Sequence, residues 1–199
     1  MIHTSTQLKA LVRNNSHGDN AKATTLIRNF VMERFLERMA LSKYHNNLIL
    51  KGGLLIASMV GLDNRATMDI DTTIRNYNLS TEDAKKMIED IIAVPLDDGI
   101  QFEIKNVEGI MDEAEYPGIR FKLEAVLNMM KTPLKIDIST DDVITPREVN
   151  YKYKLMFEER SISLLVYNLE TLLAEKMETI ISRGTLNTRM RDYYDLMIL

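Results

Sequence analysis

The chain has 199 residues, 45% of them hydrophobic and 27% charged, with a net charge of −4. That is enough to bury the core of one domain, with room for a helical appendage. Cysteine is absent and the three histidines (His3, His17, His45) are scattered, which excludes disulfides, thiolate zinc sites and cysteine nucleophiles and argues against a zinc enzyme.

Charge is unevenly spread. Residues 1–50 hold seven Lys/Arg against three Asp/Glu, and the remaining 149 hold 18 against 26. A basic start can touch a phosphate backbone, but a solvated helix face is the simpler account. No run reaches the roughly 18 apolar residues of a membrane span. The first twenty residues lack the apolar stretch of a signal peptide, so the expectation is a cytoplasmic protein.

In chain order, Ile27, Val31, Phe35 and Met39 predict an amphipathic helix over 24–40, with Arg28, Glu33, Arg34, Glu37 and Arg38 mostly on other faces. Leu48-Ile49-Leu50 is a buried strand, broken by Lys51-Gly52-Gly53. A short packed helix over 54–60 ends at Gly61. The β-branched run 68–74 is the next strand. Ser80, with Asp83 three residues on, caps a helix that Pro95 stops. Residues 101–107, 119–127 and 134–140 alternate as strands, and a further pair covers 152–158 and 161–166. Helical spacing returns from Asn168 and breaks at Arg183-Gly184, and a last helix from about Thr188 is still running at Leu199, a pattern that suggests more helix beyond it. The order predicts an α+β fold: a sheet core over 1–166 with N-terminal helices, then the start of a helical region over 167–199.

Asp69 and Asp71 stand two apart on one strand, so both carboxylates project from one face while Ile70 points into the core. Adjacent like charges repel, and a divalent cation with carboxylate ligands removes that cost. Two solvated acids at a strand end explain a bare pair as well. Lys51-Gly52-Gly53 closes a strand and opens a helix, where glycines let backbone approach a phosphate; an ordinary turn reads the same way. Asp137, in Leu134-Lys135-Ile136-Asp137-Ile138, faces away from the isoleucines and joins the first two acids if the strands are neighbours, as a third ligand or a general base. Lys176 falls near the centre of the stripe Leu169, Leu172, Leu173, Met177 and Ile180, a place for a lysine only with a snorkelling stem or an anionic partner. Asp192 and Asp195 share a face of the last helix and need a cation, from Lys176, Arg189 or Arg191, unless they serve only as an interhelical salt bridge. Arg65 and Thr67 either bind phosphate or close the turn before Asp69.

These pieces occur in a fixed order: Lys-Gly-Gly, Arg-x-Thr-x-Asp-Ile-Asp, Lys-Ile-Asp-Ile, Leu-Leu-Ala-Glu-Lys-Met, Arg-Asp-Tyr-Tyr-Asp-Leu. Over about residues 48–199 the order resembles the nucleotidyltransferase superfamily of DNA polymerase β type, and more narrowly the AbiEii/AbiGii toxin family. The resemblance implies a mixed sheet flanked by helices and a nucleotidyltransferase that moves NMP from an NTP to an acceptor, RNA (such as tRNA) or protein, with Mg²⁺ or Mn²⁺. It further implies a toxin opposed by an antitoxin encoded nearby, which it need not bind, and no membrane partner. Carried over by position, Gly52 and Gly53 hold the triphosphate, beside Lys51, Arg65 and Thr67. Asp69, Asp71 and Asp137 bind metal, Lys176 contacts the nucleotide, and Asp192 is the acid of the final motif, with Asp195 as second candidate. Thr67 stands where many members have Ser, and fifteen residues separate Gly53 from Asp69. Two other readings remain: a small-molecule nucleotidyltransferase of the antibiotic-modifying kind, and a non-catalytic nucleotide-binding module, which the presence of all three acids disfavours.

Overall fold

Local signals set the helix starts. Helix α1 (Ser5–Ser16) opens on a capping box in which the Thr4 side chain accepts from the Gln7 backbone N–H and the Gln7 side chain reaches back. Helix α2 (Asn20–Leu41) is capped by Asp19, which accepts from Ala21 N and Lys22 N, so it begins four residues before its apolar period becomes visible. Helix α3 (Gly52–Val60) follows directly on strand β1 (Leu48–Lys51), and α4 (Thr81–Ile92) is capped by Ser80 as the sequence predicts.

The computed structural model describes residues 1–75, 80–110, 118–140, 142–184 and 187–199. The remaining strands there are β2 (Asp69–Ile74), β3 (Ile100–Ile110), β4 (Gly118–Leu127), β5 (Met130–Thr140), β6 (Val149–Lys154) and β7 (Ser161–Val166). Helices α5 (Leu169–Arg183) and α6 (Met190–Ile198) follow. Strand β6 lies earlier than the expected 152–158, because Leu155 N donates to Arg160 O and closes the hairpin there. All seven strands form one mixed sheet in the order β3-β4-β5-β2-β1-β7-β6, which makes the α+β class plain. The β2–β5 and β1–β7 pairs are parallel and the other four antiparallel. Among the described residues no helix is long and apolar enough to cross a membrane.

Alternation gives the sheet two unlike faces. Ile70, Ile136, Ile138, Phe121 and Leu123 are buried in the continuous core. Helices α2 and α4 pack against the sheet, with Phe35 and Met39 of α2 and Met87 and Ile91 of α4 in that same core.

Helix α2 departs from the expected solvated charged face. Glu33, Arg34, Glu37 and Arg38 are all buried, because partners from distant segments reach them. Arg38 grips Asp98 with two bonds of 2.7 and 2.8 Å. Arg34 donates to Glu158 at 3.1 Å, and Arg160 pairs with Glu37. Glu33 accepts the Met156 backbone N–H at 3.0 Å and Asn29 Nδ2 at 2.9 Å. A helix amphipathic in sequence is thus buried nearly all round, at the cost of pairing each charge.

Burial pushes the Glu33 carboxyl from its ordinary 4.5 up to about 8, and the Met156 N–H and the Arg34 charge offset only part of that. A carboxyl whose folded pKa exceeds its unfolded value gains a proton on folding, so its contribution to stability is lost as pH rises from about 4.5 to about 8. Glu33→Gln keeps an acceptor for Met156 and removes the titration. Between pH 5 and 8 the variant should gain stability over wild type by more than about 1 kcal/mol, read from thermal melts; parallel curves for the two proteins would refute the assignment.

Candidate active site

Strand register builds the site. Lys51 on β1 is the cross-strand partner of Asp71 on β2, Asp71 is the partner of Asp137 on β5, and Asp137 is the partner of Arg120 on β4. Four strands therefore set two cations, one at each end, around two anions in a single row. One pleat along, Asp69 pairs with Lys135, and Lys135 with Lys122. Because side chains two apart share a face, both rows project from the same side.

Each end of the first row is tied down. Arg120 donates two parallel bonds of 2.8 Å to the two oxygens of Asp137, and this hydrogen-bonded pairing raises its own pKa. At the other end Lys51 Nζ donates to Asp142 at 2.6 Å and to Glu175 of α5 at 2.7 Å. Burial works against the Lys51 charge, yet Glu175 and Asp142 more than compensate and raise its pKa. Asp142 also accepts from Ser139 Oγ at 2.8 Å and from the Tyr167 hydroxyl, and its pKa is lowered by Lys51 against its own burial.

Asp71 carries the electrostatic strain. Part of its surface opens to the cleft, but it is otherwise surrounded by protein. Desolvation, then the charges of Asp137 and Asp69, push it up to about 6. Gly52 lies directly beneath it: φ is +69°, and an added Cβ would overlap the Asp71 carboxylate and stand 2.8 Å from the Asp71 Cβ. Glycine is required there for conformation and for space. A Cβ on Gly53 would meet Thr67 Oγ1 at 2.9 Å and Arg65 Nη2 at 3.0 Å. The second glycine thus serves close packing against the turn that leads into β2.

Helix α5 brings the fifth cation. Lys176 Nζ donates to Asp192 of α6 at 2.7 Å and lies 3.6 Å from Asp195. Only part of the expected stripe of α5 packs inward: Leu172 lies in the core, and Leu173 and Ile180 are half-buried. Leu169 and Met177 are exposed, while Thr171, Leu172 and Thr179 are buried. The helix turns its polar edge, with Glu175 and Lys176, toward the sheet, because Lys51 of β1 is there to pair with Glu175 and the acids of α6 with Lys176. Arg65 grips Asp195 with bonds of 2.6 and 3.1 Å, away from the cleft. Asp192 Oδ2 is buried with no partner among the described residues.

A cleft of about 200 Å³ collects part of this set. Of the residues expected from sequence, Lys51, Gly52, Asp71, Asp137 and Lys176 line it. Asp69 stands at its rim beside Lys135; Gly53, Arg65, Thr67, Asp192 and Asp195 form the shell behind. Arg120, Ser139 and Glu175 line it as well and were not singled out in the sequence, and Arg189, expected only as a partner for the acids of the last helix, joins them. Arg120 had a legible signal, the alternation that puts it on the face opposite Phe121. Glu175 sits next to Lys176 in a motif whose lysine drew attention first.

The donor set suits a divalent cation in kind. Three carboxylates on one face, with the charge of one disfavoured by burial and then by the other two, supply hard oxygens and gain by neutralisation. In the arrangement seen, Lys135 holds Asp69 and Arg120 holds Asp137, and among the described residues no three acids are gathered tightly enough for a metal. The residues fit the ion provided that a resident cation gives way.

Comparison with known proteins decides the family. The model described as "Nucleotidyl transferase AbiEii toxin, Type IV TA system" matches residues 34–199. The chain belongs to the AbiEii nucleotidyl transferase toxin family. No curated protein matches the sequence. Among solved structures, JHP933 from Helicobacter pylori is similar at 16% identity and TM-score 0.54, over 86% of this chain and 64% of that one. An antigenic nucleotidyltransferase-like protein from Paracoccidioides brasiliensis is similar at 14% identity and TM-score 0.52, over 86% and 74%. At such identities the likeness is one of fold. The AbiEii chain spans about two thirds to three quarters of those two proteins.

Gly52→Ala should destabilise this AbiEii chain well beyond Gly18→Ala. Both glycines have positive φ, but a Cβ at Gly18 meets nothing within 4 Å. The left-handed conformation alone costs roughly 1–2 kcal/mol at either site, and the excess at Gly52 reports the collision with Asp71. Equal losses in equilibrium denaturation would show that the close approach is relaxed in solution.

Proposed function

We propose that the chain is an NTP-dependent nucleotidyltransferase that modifies an RNA hydroxyl and acts as a growth-arresting toxin. One observation carries the reading: Asp71 opposite Asp137, beside Gly52 and Lys51, in a cleft that also holds Arg120, Lys176 and Arg189. A polyanion suits a cleft with four cations, and the acids stand where a hydroxyl must lose its proton.

In the proposed reaction the acceptor oxygen attacks the α-phosphorus of the NTP, the bond to the β-phosphate oxygen breaks, and pyrophosphate leaves. Asp137 accepts the acceptor's proton, held in orientation by the Arg120 fork. Lys176, held in place by Asp192, neutralises the triphosphate. The backbone at Gly52, at the start of α3, approaches the phosphates where the helix N-terminus favours negative charge. Asp69 and Asp71, with Asp137, would hold Mg²⁺ or Mn²⁺, which supplies charge stabilisation on the attacking and leaving oxygens. The type IV assignment of the family supports an antitoxin that counters the toxin without having to bind it. NTP and RNA as substrates imply action in the cytoplasm. We also propose that residues 1–166 and 167–199 act as core and helical appendage, with the appendage closing the cleft through Lys176.

The test is transfer from each α-³²P-NTP to total bacterial RNA with Mg²⁺, using Asp71→Asn and Lys176→Met as controls. Label on RNA that falls at least about a hundredfold in Asp71→Asn is expected, since removing one charge-stabilising group costs about that much. Label on the chain itself, or on a small hydroxylated acceptor alone, would overturn the RNA acceptor. No transfer to RNA, protein or added small acceptors would overturn the enzymatic reading.

A further inference from the structure

Lys135 is the cation that touches both Asp69 and Asp137. Its Nζ lies 2.7 Å from Asp69 Oδ2 and 3.9 Å from Asp137 Oδ2. The register explains why: Lys135 is the direct cross-strand partner of Asp69 and lies two residues before Asp137 on the same face of β5. Lys135 thus sets a positive charge between two of the carboxylates that would hold a metal.

The two basic residues of this cluster are held very differently. Arg120 is fixed by a two-bond fork that no single point charge replaces. Lys135 makes one short contact through a flexible stem, and it and Asp69 are each about one third exposed (31% and 36%). A pair so open to water is held weakly and exchanges readily. Asp71, meanwhile, has neither partner: its nearest charges are Asp137 and Asp69, which repel it, and Lys51, which Asp142 and Glu175 already engage.

We propose that Lys135 is the built-in counter-ion of the acidic cluster, occupying the cation position until a divalent ion takes Asp69 and swings the ammonium out. This inference rests on the metal-dependent reading of the site and assigns that site a residue which sets its metal affinity. Lys135 holds the carboxylates on their common face without metal, and it makes an incoming ion compete for Asp69. Lys122, on the neighbouring strand, engages Glu108 instead and touches none of the three acids, so it reports the effect of removing a nearby positive charge without removing a competitor.

The experiment is Mn²⁺ binding to the full chain, followed by the loss of the free-ion EPR signal, for wild type, Lys135→Met, Lys135→Gln, Lys122→Met and Asp69→Asn. Melting curves with and without Mn²⁺ confirm that each variant is folded. The expected result is at least about fivefold tighter binding in both Lys135 variants, less than about twofold change in Lys122→Met, and a larger Mn²⁺-induced rise in Tm for Lys135→Met than for wild type, since a screened exposed charge alone acts weakly. Unchanged or weaker binding in the Lys135 variants, or an equal gain in Lys122→Met, overturns the counter-ion role and leaves the metal site standing. Absence of Mn²⁺ binding in every protein overturns this role together with the metal-dependent reading.

Discussion

Asp71 and Asp137 face each other across two parallel strands, and the rest of the site answers that repulsion. Pairing of β2 with β5 leaves little freedom in the matter: a slip of one residue in either strand would send that strand's acid into the isoleucine core. With the register fixed, the cost of two adjacent carboxylates has to be met by neighbours. The outer strands supply them, Lys51 from β1 and Arg120 from β4, and the next pleat supplies Lys135. Asp71 is the member left without a direct cation, and burial, together with the charges of Asp137 and Asp69, raises its pKa. A site of this kind stores an affinity for positive charge.

The helical end of the chain belongs to the same charge balance. Lys51 is shared between Asp142 and Glu175, so α5 is docked onto β1 through the first cation of the row. Lys176, one residue on, passes the linkage to Asp192 and Asp195 of α6, and Arg65 takes Asp195 back to the turn before β2. The circuit closes on itself: β1, α5, α6, the turn and β2. Arg65 and Asp195 thereby become structural supports, whereas Lys176 and Asp192 stand nearer the cleft. Leu169, Met177 and Ile181 on α5 stay exposed, because polar pairing rather than apolar burial orients this helix.

Much of this was legible in the sequence, for identifiable reasons. Period-two alternation located β4, β5 and β7, and side-chain parity put Asp69 and Asp71 on one face, with Asp137 to join them only if its strand proved a neighbour, as β5 is to β2. The cap residue Ser80 placed the start of α4 and the return of helical spacing from Asn168 that of α5, where Asn168 proves to be the cap. What escaped was whatever depends on pairing between distant segments. The alternating pattern does not reveal that β4 lies beside β5 with Arg120 opposite Asp137, or that Asp142 turns back onto Lys51. Helix α5 misled in part: Leu172 of the expected stripe is in the core, but Leu169 and Met177 are exposed and Glu175 and Lys176 take up ion pairs instead.

Helix α2 shows how far from the cleft the site's support extends. Its charges looked like a solvated face; buried, they act on the β6–β7 hairpin. Glu33 accepts the Met156 backbone N–H, and Arg34 and Glu37 hold Glu158 and Arg160 at the same bend. That hairpin ends in β7, which pairs in parallel with β1 through Ile49 and Leu50 and hands on to Tyr167, whose N–H donates to Leu50 O. Lys51 is the next residue. The position of the first cation in the row therefore depends on a chain of backbone pairings whose far end is clamped by buried side chains of α2. Apolar residues there would cost less in desolvation, but would not fix the bend against α2 with directional bonds, and a one-residue shift of β7 would carry Tyr167 and the Lys51–Asp142 contact with it.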